Sequence, residues 1–145
     1  MHIKQIILNN RKDWVLSILR IIPSFFMFYY HGYNKIINGV DTWNWLGGAV
    51  LTIFSISIGH TFIGFLAALS EGILTWFIII GFKTRVASFF NMMTMLFAGI
   101  YHLNKGESGE SAFIYCVIFF TILILGPGIY SIDNILEQRK INLNE

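Results

Sequence analysis

The chain has 145 residues, of which 55% are hydrophobic and 17% aromatic but only 12% charged, with a formal net charge of +2. Soluble domains carry about a quarter charged residues, so there is too little charge here to coat a water-facing surface. The small net charge, without a basic patch or zinc-finger spacing, excludes a nucleic-acid binder. A single cysteine, Cys116, excludes an internal disulfide and a C-x-x-C redox pair, and it reads as a buried structural residue.

The apolar residues cluster in runs near the ~20 residues that cross a bilayer. The first predicted span covers 14–33. It follows Lys4, Arg11 and Lys12, as a cleaved signal would, but it contains Arg20 and Pro23 and lacks a small-x-small cleavage site. It is therefore read as a retained span. The segment 42–57 is apolar, yet it contains Gly47-Gly48 and opens with Trp43 and Trp45, and Trp favours the membrane–water interface. A helix lying in the interface, or partly re-entrant, is predicted there. Span two covers 61–82 and span three 86–103. Span four covers 111–126 and stops at Gly126-Pro127-Gly128, where proline lacks an N–H and glycine supplies the left-handed turn. The polar stretch 134–145 is a short tail, helical or frayed. The expected fold is all-α: one membrane domain, 1–145, built as a four-helix bundle with lipid as its main solvent.

Charge sets the expected orientation. Four spans gather Lys4, Arg11, Lys12, Lys83, Arg85, Arg139 and Lys140 on one side, with Arg20 nearest to it, and leave Lys35 and Lys105 on the other. Basic residues favour the cytoplasmic side, so both termini are expected there. A fifth span would separate them.

Ionisable groups within spans cost at least ~2.5–3.5 kcal/mol each on insertion scales and need partners. Ser17, Arg20, Ser24, His31 and Lys35 share one helical face of span one. Gly64, Ala68, Glu71 and Thr75 form a similar stripe on span two, and Ser88, Asn91, Met95, Ala98 and His102 on span three. Three such stripes predict a polar or ligand-holding bundle interior, with the many Phe, Ile and Leu side chains facing lipid. If His31 and His60 both mark the outer interface, Arg20 and Glu71 lie at similar depth, each about 16 Å further in. An Arg20–Glu71 pair is therefore expected, either as a pin between two helices or as a polar site that binds a head group or relays a proton. His31, His60 and His102 fall near the outer ends of three spans, with Lys35, Glu107 and Glu110 nearby. Three His can bind a metal, but the i, i+4 pair of a metal helix is absent, so no metal is expected and the three rank as minor candidates. His102 beside Glu110 suits proton handling. Arg85 and Asp133 are expected to form a structural ion pair at the inner surface.

Several short motifs follow one another along the chain: Leu19-Arg20, His31-Gly32-x-x-Lys35, Ser70-Glu71-Gly72, Gly81-Phe82-x-Thr84-Arg85, Ala98 to His102, and Gly126-Pro127-Gly128-x-Tyr130-Ser131-x-Asp133. In this order and spacing, over about 14–134, the chain resembles the DoxX family of small bacterial membrane proteins. The resemblance implies a four-helix membrane bundle in the bacterial cytoplasmic membrane. It assigns Arg20, Lys35, Glu71, Arg85, His102 and Asp133 to the family's polar positions. Some relatives look like subunits of membrane oxidoreductases that pass electrons to quinone, which implies a quinone pocket lined by Arg20, Glu71, His102, His31 and Lys35, and other membrane or redox subunits as partners. The other reading is a non-catalytic scaffold, assembly factor or lipid binder. Small residues on the stripes suit pairing with a second copy or another subunit.

Overall fold

The computed structural model describes the backbone of residues 2–143 and the side chains of residues 11–143. It is helical, with no strand among the described residues. Helix α1 (His2–Met27) passes through a π-helical turn (Phe28–Gly32) into α2 (Tyr33–Ile37). Gly39 then bends the chain at φ 68° into α3 (Gly39–Leu51). Helix α4 (His60–Leu69), a second π turn (Ser70–Leu74) and α5 (Thr75–Ile80) form one continuous rod. Gly81, at φ 74°, ends that rod because it accepts the left-handed conformation without a Cβ clash. The remaining helices are α6 (Thr84–Asn104), α7 (Glu110–Leu125) and α8 (Ile132–Leu143).

Among the described residues, three stretches are long and apolar enough to cross a membrane: Arg11–Ile37, His60–Ile80 and Thr84–Asn104, with mean hydropathies of 1.2, 2.0 and 1.3. Helix α7 is apolar but has 16 residues, about 24 Å at 1.5 Å per residue. The outward faces carry the bulk expected of lipid contact, including Ile18, Ile22, Phe25, Phe26, Phe89 and Phe90. The predicted stripes point inward over most of their length: Ser17, Arg20, Ser24, Gly64, Ala68, Glu71, Thr75, Ser88, Asn91 and Met95 are buried, whereas Lys35, Ala98 and His102 are half-buried and His31 is exposed.

Between the polar levels lies an apolar core of Met27, Ile78, Ala87, Met95, Ala112, Phe119 and Ile122, which joins α1, α5, α6 and α7. Glycine sets the other main contact. A Cβ on Gly47 would lie 1.7 Å from the His60 carbonyl oxygen, and one on Gly64 would lie 1.7 Å from that of Trp43. Helices α3 and α4 therefore run antiparallel with their backbones touching. Helix α3, within the segment expected to lie in the interface or to be partly re-entrant, thus packs lengthwise on α4, with Gly47 at the close contact.

The two ends of the molecule are distinguished by contact. Trp14 meets Tyr130 with ring centroids 5.2 Å apart, and the Asp133 N–H donates to the Gly81 carbonyl at 2.8 Å. Residues near 14–20, 81–85 and 126–133 thus share one end. The α6–α7 turn lies at the other.

Candidate functional site

The site forms where two helices depart from α geometry together. The π turns Phe28–Gly32 and Ser70–Leu74 face each other, and a Cβ on Gly32 would lie 2.1 Å from the Glu71 carbonyl oxygen. A π turn widens the helix and disturbs its hydrogen-bond ladder. Here the Thr75 hydroxyl donates to the carbonyls of Glu71 at 2.9 Å and Gly72 at 3.0 Å. Asn91 of α6 donates its side-chain amide to the Ser70 carbonyl at 3.0 Å. On the other strand of the contact, the Trp43 indole N–H donates to the Lys35 carbonyl at 2.8 Å, which satisfies an orphan acceptor near the end of α2.

Lys35 Nζ then reaches both carboxylate oxygens of Glu71, at 2.5 and 2.6 Å. Glu71 is 1% exposed and the Lys35 side chain 22%. A carboxylate this deep keeps its charge only beside a cation, because removing either partner strands the other in low dielectric.

Two cavities open beside the pair. The first, of about 240 Å³, lies between α3, α4 and α6; Trp45, Phe97, Tyr101 and Ala67 supply much of its wall, with Lys35, Glu71 and His102 at its polar end. It shares Val50, Ala67, Thr94 and Phe97 with an adjoining apolar cavity of about 260 Å³. A smaller polar chamber of about 100 Å³ lies on the opposite side of Lys35, lined by His31, His102, Ser111 and Tyr115 among others. Lys35, Ala98 and His102 border both the first cavity and this chamber.

A second polar cluster binds the other end of the molecule. Arg20 is 3% exposed. Its guanidinium donates to the Pro127 carbonyl and, at 2.6 Å, to the Tyr130 carbonyl. Asp133 accepts from the backbone N–H groups of Lys83 at 2.7 Å and Thr84 at 2.9 Å, and from the Thr84 hydroxyl at 2.9 Å. The carboxylate thus caps α6.

Several expected pairings are corrected. Arg20 does not meet Glu71. Gly32 abuts Glu71, so His31 shares that level, whereas His60 lies eleven residues, about 16 Å, nearer the α6–α7 end. Aligning the two His therefore displaced the helices, and the cation at the depth of Glu71 is Lys35. Arg85 and Asp133 form no ion pair: Asp133 is occupied in capping α6, and the exposed Arg85 guanidinium lies beside Gly126. His102 Nδ1 lies 2.7 Å from Glu107 Oε2, not on Glu110. The three His candidates do not converge: His31, edge-on to Tyr115 with ring centroids 6.1 Å apart, borders one chamber with His102, but His60 stands apart, its ring nitrogen 3.2 Å from the Ile56 carbonyl. No group of three His, Cys, Asp or Glu suited to a metal occurs among the described residues. Trp43, Trp45 and Tyr101 were missed as site residues. For Trp43 and Trp45 the signal is the aromatic density of 42–57, and for Tyr101 its place within the Ala98 to His102 motif.

Fold and site define a small polytopic helical membrane protein with a charge pair buried between two distorted spans. The chain belongs to the DoxX family, whose model matches residues 15–103. The match runs from Arg20 through Lys35 and Glu71 to His102; the Gly126–Asp133 motif lies beyond it. No curated protein and no solved structure matches the chain.

Proposed function

We propose that this DoxX protein holds the head of an isoprenoid quinone in the cavity beside Lys35–Glu71, as a subunit or accessory of a membrane oxidoreductase. The observation that carries this reading is the make-up of the paired cavities. Small-molecule sites are largely apolar with a few convergent polar groups. Here Trp45, Phe97 and Tyr101 enclose a space of about 240 Å³ whose polar end carries Lys35, Glu71 and His102. A quinone ring is flat and apolar, with two carbonyl acceptors. It suits aromatic walls with the Lys35 ammonium or His102 imidazole as donors. The adjoining apolar cavity of about 260 Å³ suits the first units of an isoprenoid tail. The chain's own part is to bind and orient the ring, keep bulk water from its apolar face and offer proton-bearing groups at its carbonyls. Electrons would pass to and from a partner subunit.

The proposed setting is the bacterial cytoplasmic membrane, crossed four times by α1–α2, α4–α5, α6 and α7. Arg11, Lys12, Lys83 and Arg85 gather at the end that also holds the start of α8, and by the positive-inside tendency this end is cytoplasmic.

Purification in mild detergent followed by mass spectrometry of the extracted lipids tests the reading. A quinone should co-purify with the wild type and be lost from Ala98→Leu, which fills the polar end of the cavity. Phospholipid alone, in a folded protein that also fails to take up added quinone, would favour a scaffold in which Lys35–Glu71 only pins two helices.

A further inference from the structure

We propose that the buried Lys35–Glu71 pair and the cavity beside it exchange water and protons with the aqueous phase at the α6–α7 end only, through the polar chamber on the far side of Lys35. The inference deepens the quinone reading by assigning a side of the membrane to the site. The route itself is testable with no quinone present.

The chamber has room for water and the groups to hold it. Its volume of about 100 Å³ is ample for water, which needs two to four polar partners when buried. Those partners come from each surrounding element: His31 from the first π turn, Lys35 from α2, His102 from α6, and Ser111 and Tyr115 from α7. Polar groups make up a far larger part of this lining than of the apolar cavity beside α4. Apolar voids stay dry, whereas polar ones of this size fill.

The chamber leads outward through His102. The His102 ring sits 2.7 Å from Glu107, and both side chains are well exposed at the α6–α7 turn. Because His102 borders the chamber and the quinone-sized cavity alike, it is the group through which a proton moves between outside water and a bound head. It takes the proton from water or Glu107 on one side, releases one to a chamber water or ligand oxygen on the other, and returns to neutral imidazole. A neutral imidazole has one ring nitrogen that accepts and one that donates, which suits that exchange. Towards the α8 end the interior narrows to a closely packed level, which also holds the buried hydroxyls of Ser24 and Ser88. Met27, Ile78, Phe119 and Ile122, each at most 1% exposed, pack between the Lys35–Glu71 level and the Arg20 cluster.

Two measurements on the full chain test the route. Radiolytic hydroxyl-radical labelling of the native protein, read by mass spectrometry, oxidises buried side chains only where water lies beside them. Met95 borders the chamber and is 4% exposed, whereas Met27 is 0% exposed in the core. Met95 should be oxidised several-fold faster than Met27. Equal protection of both would overturn the proposal, and so would equal oxidation, which would mean that water continues past Met27 towards Ser24. The second measurement gives sidedness. In a Cys116→Ser background, Ala112→Cys in proteoliposomes should react with a charged thiol reagent added at the α6–α7 face, while lipid-facing Val117→Cys should not. Labelling of Ala112→Cys from the α8 face, or from neither face in a protein of unchanged melting temperature, would also overturn it. Failure of quinone to bind would leave both results standing, and binding of quinone would rescue neither.

Discussion

Glu71 and Lys35 meet at 2.5 Å with the carboxylate 1% exposed, and the asymmetry of their burial decides what each contributes. Replacing Lys35 by Met leaves a carboxylate without a cation in low dielectric, and breaking a buried pair in this way costs about 3–5 kcal/mol. Glu71→Gln leaves Lys35, whose side chain is 22% exposed and borders the polar chamber, so its loss is expected to be smaller. The double variant Lys35→Met/Glu71→Leu removes both charges and should recover most of the stability lost in Lys35→Met. Thermal unfolding in detergent reads all three. If Lys35→Met unfolds at the wild-type temperature, the pair does not hold the helices together.

At the scale of elements, contacts rest on where a Cβ is forbidden. Gly47 and Gly48 are neighbours on α3, but only Gly47 has its Cα against a backbone, that of His60. Gly47→Ala should force α3 from α4 and lower stability by about 1–3 kcal/mol, as overpacking does. At Gly48 an added Cβ would meet nothing nearer than a His60 ring nitrogen at 3.9 Å, and Ala is favoured over Gly in a helix by up to ~1 kcal/mol. Gly48→Ala should be neutral or stabilising. Equal effects at the two positions would contradict the touching-backbone description. Asp133→Ala removes a cap made by three hydrogen bonds at the start of α6 and should lower the unfolding free energy by about 1–2 kcal/mol. Arg85→Ala should be near neutral in the same assay, since Arg85 is not the partner of Asp133.

Across the whole molecule, the helices and their inward faces were legible in the sequence because hydropathy and the 3.6-residue period report them directly. The stripe Gly64, Ala68, Glu71 and Thr75 is buried throughout. Pairing between helices was less legible. Depth counted at 1.5 Å per residue needs a reference level, and His31 and His60 were the wrong pair to align. The π turns at Phe28–Gly32 and Ser70–Leu74 leave no mark on hydropathy. The better signal lay in the motifs themselves, His31-Gly32-x-x-Lys35 and Ser70-Glu71-Gly72, each with a glycine beside a charge of opposite sign. Orientation is testable at this scale: Lys140→Cys should react with an impermeant thiol reagent only from the cytoplasm, and Lys105→Cys only from outside. The reverse pattern would invert the site's access along with the molecule.

Equilibrium binding of a short-chain quinone to the reconstituted protein, followed by tryptophan fluorescence, tests the cavity itself, because Trp45 forms part of its wall. Quinone should quench the wild type saturably, with most of the quenching lost in Trp45→Phe. Ala49→Leu, which fills the same cavity from α3, should weaken binding by about tenfold or more, equivalent to about 1.4 kcal/mol. Unsaturable quenching that is the same in all three proteins would mean that quinone meets only the lipid-facing tryptophans, and that the Lys35–Glu71 cavity is not its site.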